Sequence, residues 1–394
     1  MRIAMIGARG IPHTYSGNEE FFRNIAPRLV ARGHEVIVYC RSGHFTDRSP
    51  TWHGVRRVFY PAPEHKSGGQ FIHALLAAID ASVRRPDIVY IHTLPSAPHS
   101  IIPWITGNRV VVNVDGMDWA RDKWGRIGKG YLRTAARIAL RTASGVITDA
   151  EAMRDYYRTH FGRDVYCIPY GADIEASTHP EILAQYGLTP GDYYLIASRL
   201  VPENNPDLIV EAFTRTDSKR KLVVAGGANF SSPWVERLHA TSDARVVFLG
   251  HVGNREHIKE LHCNSYAYVH GHSLGGTNPS LLKALGYGNC ILALDTPFNH
   301  EVLTGKTGIA YGRFFSRSVS AASDALAEID RDPAAAAHYR LIAPDRIREA
   351  YSHDFITGEY ERVFTEILRG VREPAPAAIG ASGPAPRPTP TAPV

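Results

Sequence analysis

Short β-rich runs alternate with helical patterns along almost the whole chain, and this alternation leaves few folds open. Parallel strands need long crossover connections, and a helix is the usual one. The runs fall into two sets. RIAMIG, EVIVYC, VRRVFY, DIVYIH, RVVVNV, GVITDA and VYCIPYG make the first; YYLIAS, KLVVAGG, ARVVFLG, YAYVHGH, CILALD and GIAYG make the second. Each set is enough for its own sheet, and 394 residues exceed what one hydrophobic core usually serves. The expected fold class is α/β, with two doubly wound Rossmann-like domains facing across a cleft.

The break falls in the polar segment GADIEASTHPEILAQYGLTPGD. Residues 1–170 read as the first domain and 171–353 as the second, with 171–190 as the linker region. Residues 354–371 read as a helix packing back toward the first domain. The Pro/Ala-rich tail 372–394 lacks the apolar content to offset ordering entropy and reads as disordered. The four cysteines are scattered without a CxxC pair, which suits reduced thiols in the cytoplasm. MRIAMIG runs straight into a strand, and the apolar stretch Phe71 to Val83 is too short to span a bilayer. A formal charge of +5 suits phosphate-bearing ligands or an anionic surface.

Ligands of open α/β sheets sit beyond the carboxyl ends of the strands. One such end leads into GHSLGGTNPSLLKALGYG. Gly275 and Gly276 allow close approach of the backbone, and Thr277 follows them. Asn278 is a good N-cap, Pro279 suits the first helical position, and the helix N-terminus favours an anion. Arg199 leaves a second strand end and can fork onto phosphate oxygens. Gly226 stands at a third. Each alone could be a plain turn; together they favour a nucleotide diphosphate.

Two aspartates leave strand ends of the first domain, Asp115 after VVVNV and Asp149 after GVIT. Either carboxylate can take a proton from an acceptor hydroxyl, or serve merely as a cap. No two aspartates one residue apart stand at a strand end, so no metal is expected. In the first loop, GARGIPHTYSGNE is not GxGxxG, which disfavours a dinucleotide cofactor. Its Arg9, Gly10, Gly17 and Glu19 could form an acceptor site, or a structural turn. Lys129, Arg133, Arg137 and Arg141 recur every four residues near Trp119, Trp124 and Tyr131. That stripe fits anionic lipid headgroups or an ordinary solvated face; nucleic acid is the weaker match.

SRLVPENNPDLIVEAF, GGTNPSLLKALGYG and the opening forty residues together resemble family-4 glycosyltransferases of the GT-B fold. The N-terminal block is similar to the rhamnosyltransferase branch, and the resemblance covers about residues 1–370. It implies a nucleotide-sugar donor in the second domain, an acceptor in the first, and no further cofactor. It also implies transfer of L-rhamnose from dTDP-L-rhamnose to a lipid-linked saccharide, at the inner face of the plasma membrane, in bacterial cell-surface polysaccharide synthesis. A UDP-hexose-dependent transferase and a catalytically silent partner protein are the alternatives.

The chain departs from that pattern in telling places. Arg199 matches the family's phosphate-binding arginine, but Asn204 stands at the usual lysine and Ser16 at a usual glycine. Gly275 and Lys283 replace two glutamates, the second of which touches ribose hydroxyls. Three readings of Lys283 follow: a deoxyribose donor makes the carboxylate dispensable, Lys283 reaches the diphosphate in place of the lysine missing at 204, or the donor site has decayed.

Overall fold

In a computed structural model, residues 1–13, 17–63, 68–116, 119, 124–227, 233–305 and 308–371 are described. Ser16, Asp118 and the tail 372–394 lie outside them. The first sheet has eight strands: β1 (Arg2–Ile6), β2 (Glu35–Arg41), β3 (Thr51–Trp52), β4 (Val55–Tyr60), β5 (Ile88–His92), β6 (Val110–Asn113), β7 (Gly145–Thr148) and β8 (Tyr166–Cys167). Their order is β3-β4-β2-β1-β5-β6-β7-β8, parallel except for the edge strand β3. The second sheet holds β9 (Tyr193–Ala197), β10 (Lys221–Ala225), β11 (Val246–Gly250), β12 (Ala267–His270), β13 (Ile291–Leu294) and β14 (Arg313–Phe315). Its order is β11-β10-β9-β12-β13-β14, all parallel.

Both sheets reverse direction of winding beside their first strand, between β1 and β5 and between β9 and β12. Those switch points open a crevice at the strand ends, which is where the chain carries its glycines and cations. Central strands such as β1, β5, β6 and β13 are apolar runs buried along their length, as helices on both faces require.

Two details differ from the sequence expectation. GIAYG is not a strand: Ala310 makes an isolated antiparallel bridge to Thr304, and the last strand is the following Arg313–Phe315. The edge strand β3, two residues long, carries no pattern that sequence could register.

The chain passes between domains twice, and the crossings are bonded to each other by Ala172 N–H donating to Tyr351 O at 2.8 Å. The final helix, His353–Leu368, lies on the first domain. Its Tyr360 ring packs edge-on against Tyr90, and its hydroxyl accepts from Asn113 Nδ2 at 3.0 Å. Glu361 holds both Arg32 and His34 at 3.0 Å.

Candidate active site

The segment after β12 builds the centre of the cleft. Gly275 has φ +131°, a conformation that side chains rarely adopt, with open space where a Cβ would stand. Gly276 is different. A Cβ there would lie 1.9 Å from Asp149 Oδ1, so only glycine lets this turn reach the opposite domain. Gly116 meets the turn from the other side, its own Cβ position being 2.9 Å from Gly276 N. Thr277 Oγ1 donates to Asp149 O at 2.5 Å. Asn278 Oδ1 then accepts from Ser280 N–H at 2.9 Å, capping the helix Pro279–Gly286.

The two aspartates meet at this junction. Asp115 has φ +56°, held by its N–H donating to Asn113 Oδ1 at 2.7 Å, and its Oδ1 accepts from the Tyr170 hydroxyl at 3.0 Å. Asp149 is 2% exposed. Burial first, then the charges of Asp115 and Glu301, push its carboxyl well above the usual carboxylate range, and it shares a hydrogen bond with Asp115. Its Oδ1 has no hydrogen-bond partner among the described residues. The arrangement sets two carboxyls side by side, and burial with neighbouring negative charge favours the protonated form of Asp149. Glu301, half-buried near the same junction, is pushed up to about 7 by desolvation although both its oxygens accept from Glu151 N–H.

Around the second sheet's switch point, the loop after β9 is laced to the loop after β12. Asn205 Nδ2 donates to Gly271 O at 2.7 Å, and Ser273 Oγ donates to Glu203 O at 2.9 Å. Arg199 is exposed at the cleft. Asn204, expected among the donor contacts, is instead buried, and its amide donates to Arg199 O at 2.9 Å. A shorter neutral side chain turns inward here and fixes the arginine's backbone. Gly226 permits contact between strand ends, since a Cβ would lie 1.8 Å from Ser198 O.

Lys283 does not stand free beside the turn. Its ammonium donates to Glu20 Oε2 at 2.6 Å, across the domain boundary. Burial opposes ionisation of Glu20, but Lys283, Arg23 and His353 outweigh it and hold the carboxyl below its ordinary value. The pair borders a recess shared with Gly17, Tyr170, Asp173 and His353, with free volume of about 30 Å³, about one water's share. In the first loop, Glu19 is buried and accepts from Arg9 N–H at 3.0 Å. Gly10, at φ +118°, packs on Cys40, and Gly17 opens the helix Gly17–Ala31 beside Pro279. Glu19 and Gly10 thus shape the loop that presents Arg9.

Comparison with known proteins agrees with this architecture. Residues 15–176 match Glycosyltransferase Family 4, and residues 180–344 match Glycosyl transferases group 1. The chain is a GT-B glycosyltransferase. This glycosyltransferase is 23% identical to glycogen synthase of Mycobacterium tuberculosis over 415 aligned residues, 95% of its own chain and 97% of the relative. Its fold is shared with sucrose-phosphate synthase of Thermosynechococcus elongatus (15% identity, 94% and 99% of the two chains, TM-score 0.77). It is also shared with Anabaena HepE, solved with UDP and glucose (17% identity, 93% and 100% of the chains, TM-score 0.76).

Three residues of the candidate site carried no sequence signal of their own: Glu20, Tyr170 and Glu301. Each reaches the site through a partner far along the chain. Only Glu20, next to Glu19 in the first turn of its helix, stood near a motif.

Proposed function

We propose that this glycosyltransferase moves L-rhamnose from a dTDP donor to a lipid-linked saccharide at the inner face of the plasma membrane, in bacterial cell-surface polysaccharide synthesis. The observation that carries the reading is the contact of the Gly275–Gly276 turn with the Asp115–Asp149 pair. A diphosphate on the turn and on Arg199 brings the sugar's reacting carbon to the domain boundary, beside the carboxyl pair. Asp115 takes the acceptor hydroxyl's proton as the new bond forms, and Tyr170 and protonated Asp149 orient it. The leaving diphosphate keeps its charge against Arg199 and the N-terminus of the Pro279 helix. Closed domains exclude water and with it hydrolysis. The scheme draws on no cofactor and no metal.

The choice of dTDP rests on position 283, where the family resemblance expects a ribose-binding carboxylate and this chain has lysine. A UDP-hexose donor is the second reading, favoured by the Glu20 carboxylate that Lys283 holds beside that position. Thermal-shift and calorimetric titration with dTDP, UDP, GDP and ADP separates them. A ligand at 100 times its dissociation constant stabilises the fold by about 2.7 kcal/mol. Selective stabilisation by dTDP, followed by transfer from dTDP-L-rhamnose, supports the main reading; preference for UDP replaces it with the second.

A further inference from the structure

The outer side of the first domain carries a surface that sugar transfer leaves unused. Helix Gly68–Arg84 buries His73, Ala74, Ala77, Ala78 and Ala81 against the sheet. Its opposite side is apolar too: Phe71, Leu75, Ile79 and Val83 recur every four residues, and Val83 is 78% exposed. A helix apolar on every side is normally covered on every side. Among the described residues nothing covers Ile79 or Val83 fully.

The neighbouring short helix Ile101–Ile105 packs beside it and exposes Trp104 and Ile105, the latter by 67%. A third helix, Arg126–Thr142, lies against the Leu94–Ser100 turn between them, where the Tyr131 hydroxyl donates to Pro95 O at 2.8 Å. It exposes Ile127 by 91%. The same helix holds Arg126, Lys129, Arg133, Arg137 and Arg141 with no aspartate or glutamate. None of the five makes an ion pair among the described residues.

The combination selects the occupant. Nucleic acid would meet the cations but offers no apolar phase for Val83 or Ile105. An ordinary protein interface would cover the apolar side chains, but five like-signed cations on one helix need a matching acidic face, and like charges left unopposed in a contact are costly. A bilayer with anionic headgroups satisfies both at once. No helix among the described residues is long and apolar enough to cross a membrane, so contact is at the interface.

We propose that these three helices form a face that docks on an anionic lipid bilayer, with Phe71, Ile79, Val83 and Ile105 at the headgroup boundary and the basic stripe against the headgroups. The proposal deepens the lipid-linked acceptor reading and rests on it for its purpose. The test is co-sedimentation of the full chain with phosphatidylcholine vesicles, with and without phosphatidylglycerol. Two variants accompany it: Phe71→Ser/Ile79→Ser/Val83→Ser and Arg133→Gln/Arg137→Gln/Arg141→Gln. All six positions are partly or fully exposed, so both variants should fold, as a thermal scan will show.

The wild type is expected on the anionic vesicles and not on the neutral ones. Each cation contributes about fivefold, so the arginine variant loses about a hundredfold in affinity. The apolar variant loses at least about tenfold, and dTDP stabilises all three proteins alike. Absence of binding to anionic vesicles, or equal binding by all three, overturns the proposal. So does a wild-type dimer that the apolar variant turns into monomers, which would assign the face to a second copy. Vesicle binding without any dTDP response would sink the donor reading and leave the docking face standing.

Discussion

Lys283 Nζ stands 2.6 Å from Glu20 Oε2, joining the helix behind the glycine turn to the first helix of the opposite domain. The resemblance expects a carboxylate at position 283. Here the carboxylate arrives from the other domain, so it stands there only while the domains are together. The ion pair is one of the contacts that tie the two domains together.

Lys283→Ala is expected to lower stability by about 1 kcal/mol, a modest figure because both side chains keep partial solvent contact. A Glu20→Lys/Lys283→Glu exchange should recover most of it in a double-mutant cycle. Affinity for dTDP should change less than about threefold. A tenfold loss for dTDP and dTDP-L-rhamnose alike would show that the ammonium leaves Glu20 for the diphosphate.

Gly276→Ala places a methyl group against the buried Asp149 carboxyl. Overpacking of this kind costs about 1–3 kcal/mol, and here the strain is relieved by parting the domains. Transfer should therefore slow at least tenfold, an effect of about 1.4 kcal/mol on the barrier. In an Asp149→Ala background the stability penalty should shrink below about 1 kcal/mol. An undiminished penalty there would place the strain somewhere other than this contact.

Asp115→Asn is expected to cut kcat by about a hundred- to ten-thousandfold, the usual range for losing a general base. Asp149→Asn should cost less than about tenfold, because burial favours the protonated form of that carboxyl and the amide has its shape. Steady-state rates of both variants decide the matter. The reverse order would hand the base to Asp149.

Glu301 supplies a pH dependence of stability. Its carboxyl is raised from 4.5 to about 7 by burial, so folding favours its protonated form. The stability this contributes is complete below pH 4.5 and lost as pH rises through 7. Relative to Glu301→Gln, the wild type should lose about 1–3 kcal/mol between pH 4.5 and 8 in denaturant titrations. A pH-independent difference between the two proteins would falsify the assignment.

The strands were legible because a parallel sheet covered on both faces needs continuous apolar runs, and RIAMI, IVYIH and ILAL are such runs. GIAYG misled for the same reason. It is apolar but bounded by glycines, and it folds back on Thr304 while the arginine-led RFF takes the sheet edge. At the site, Gly275, Gly276 and Asn278 announced a turn and a cap by residue type alone. What residue type could not reveal was partnership. Glu20 lies 263 positions from Lys283, and the Asn204 amide serves a backbone carbonyl that no side-chain pattern encodes.

The placement of the last helix bears on how the protein is made. Tyr360, Phe364 and Ile367 belong to the core that also contains Ile3, Tyr90 and Val111. A ribosome delivers the first domain's strands hundreds of residues before the helix that finishes their packing. Domains usually fold as units in order of synthesis. In this chain the first domain to emerge is the last to be completed, because the helix that finishes its core is made only after the whole second domain.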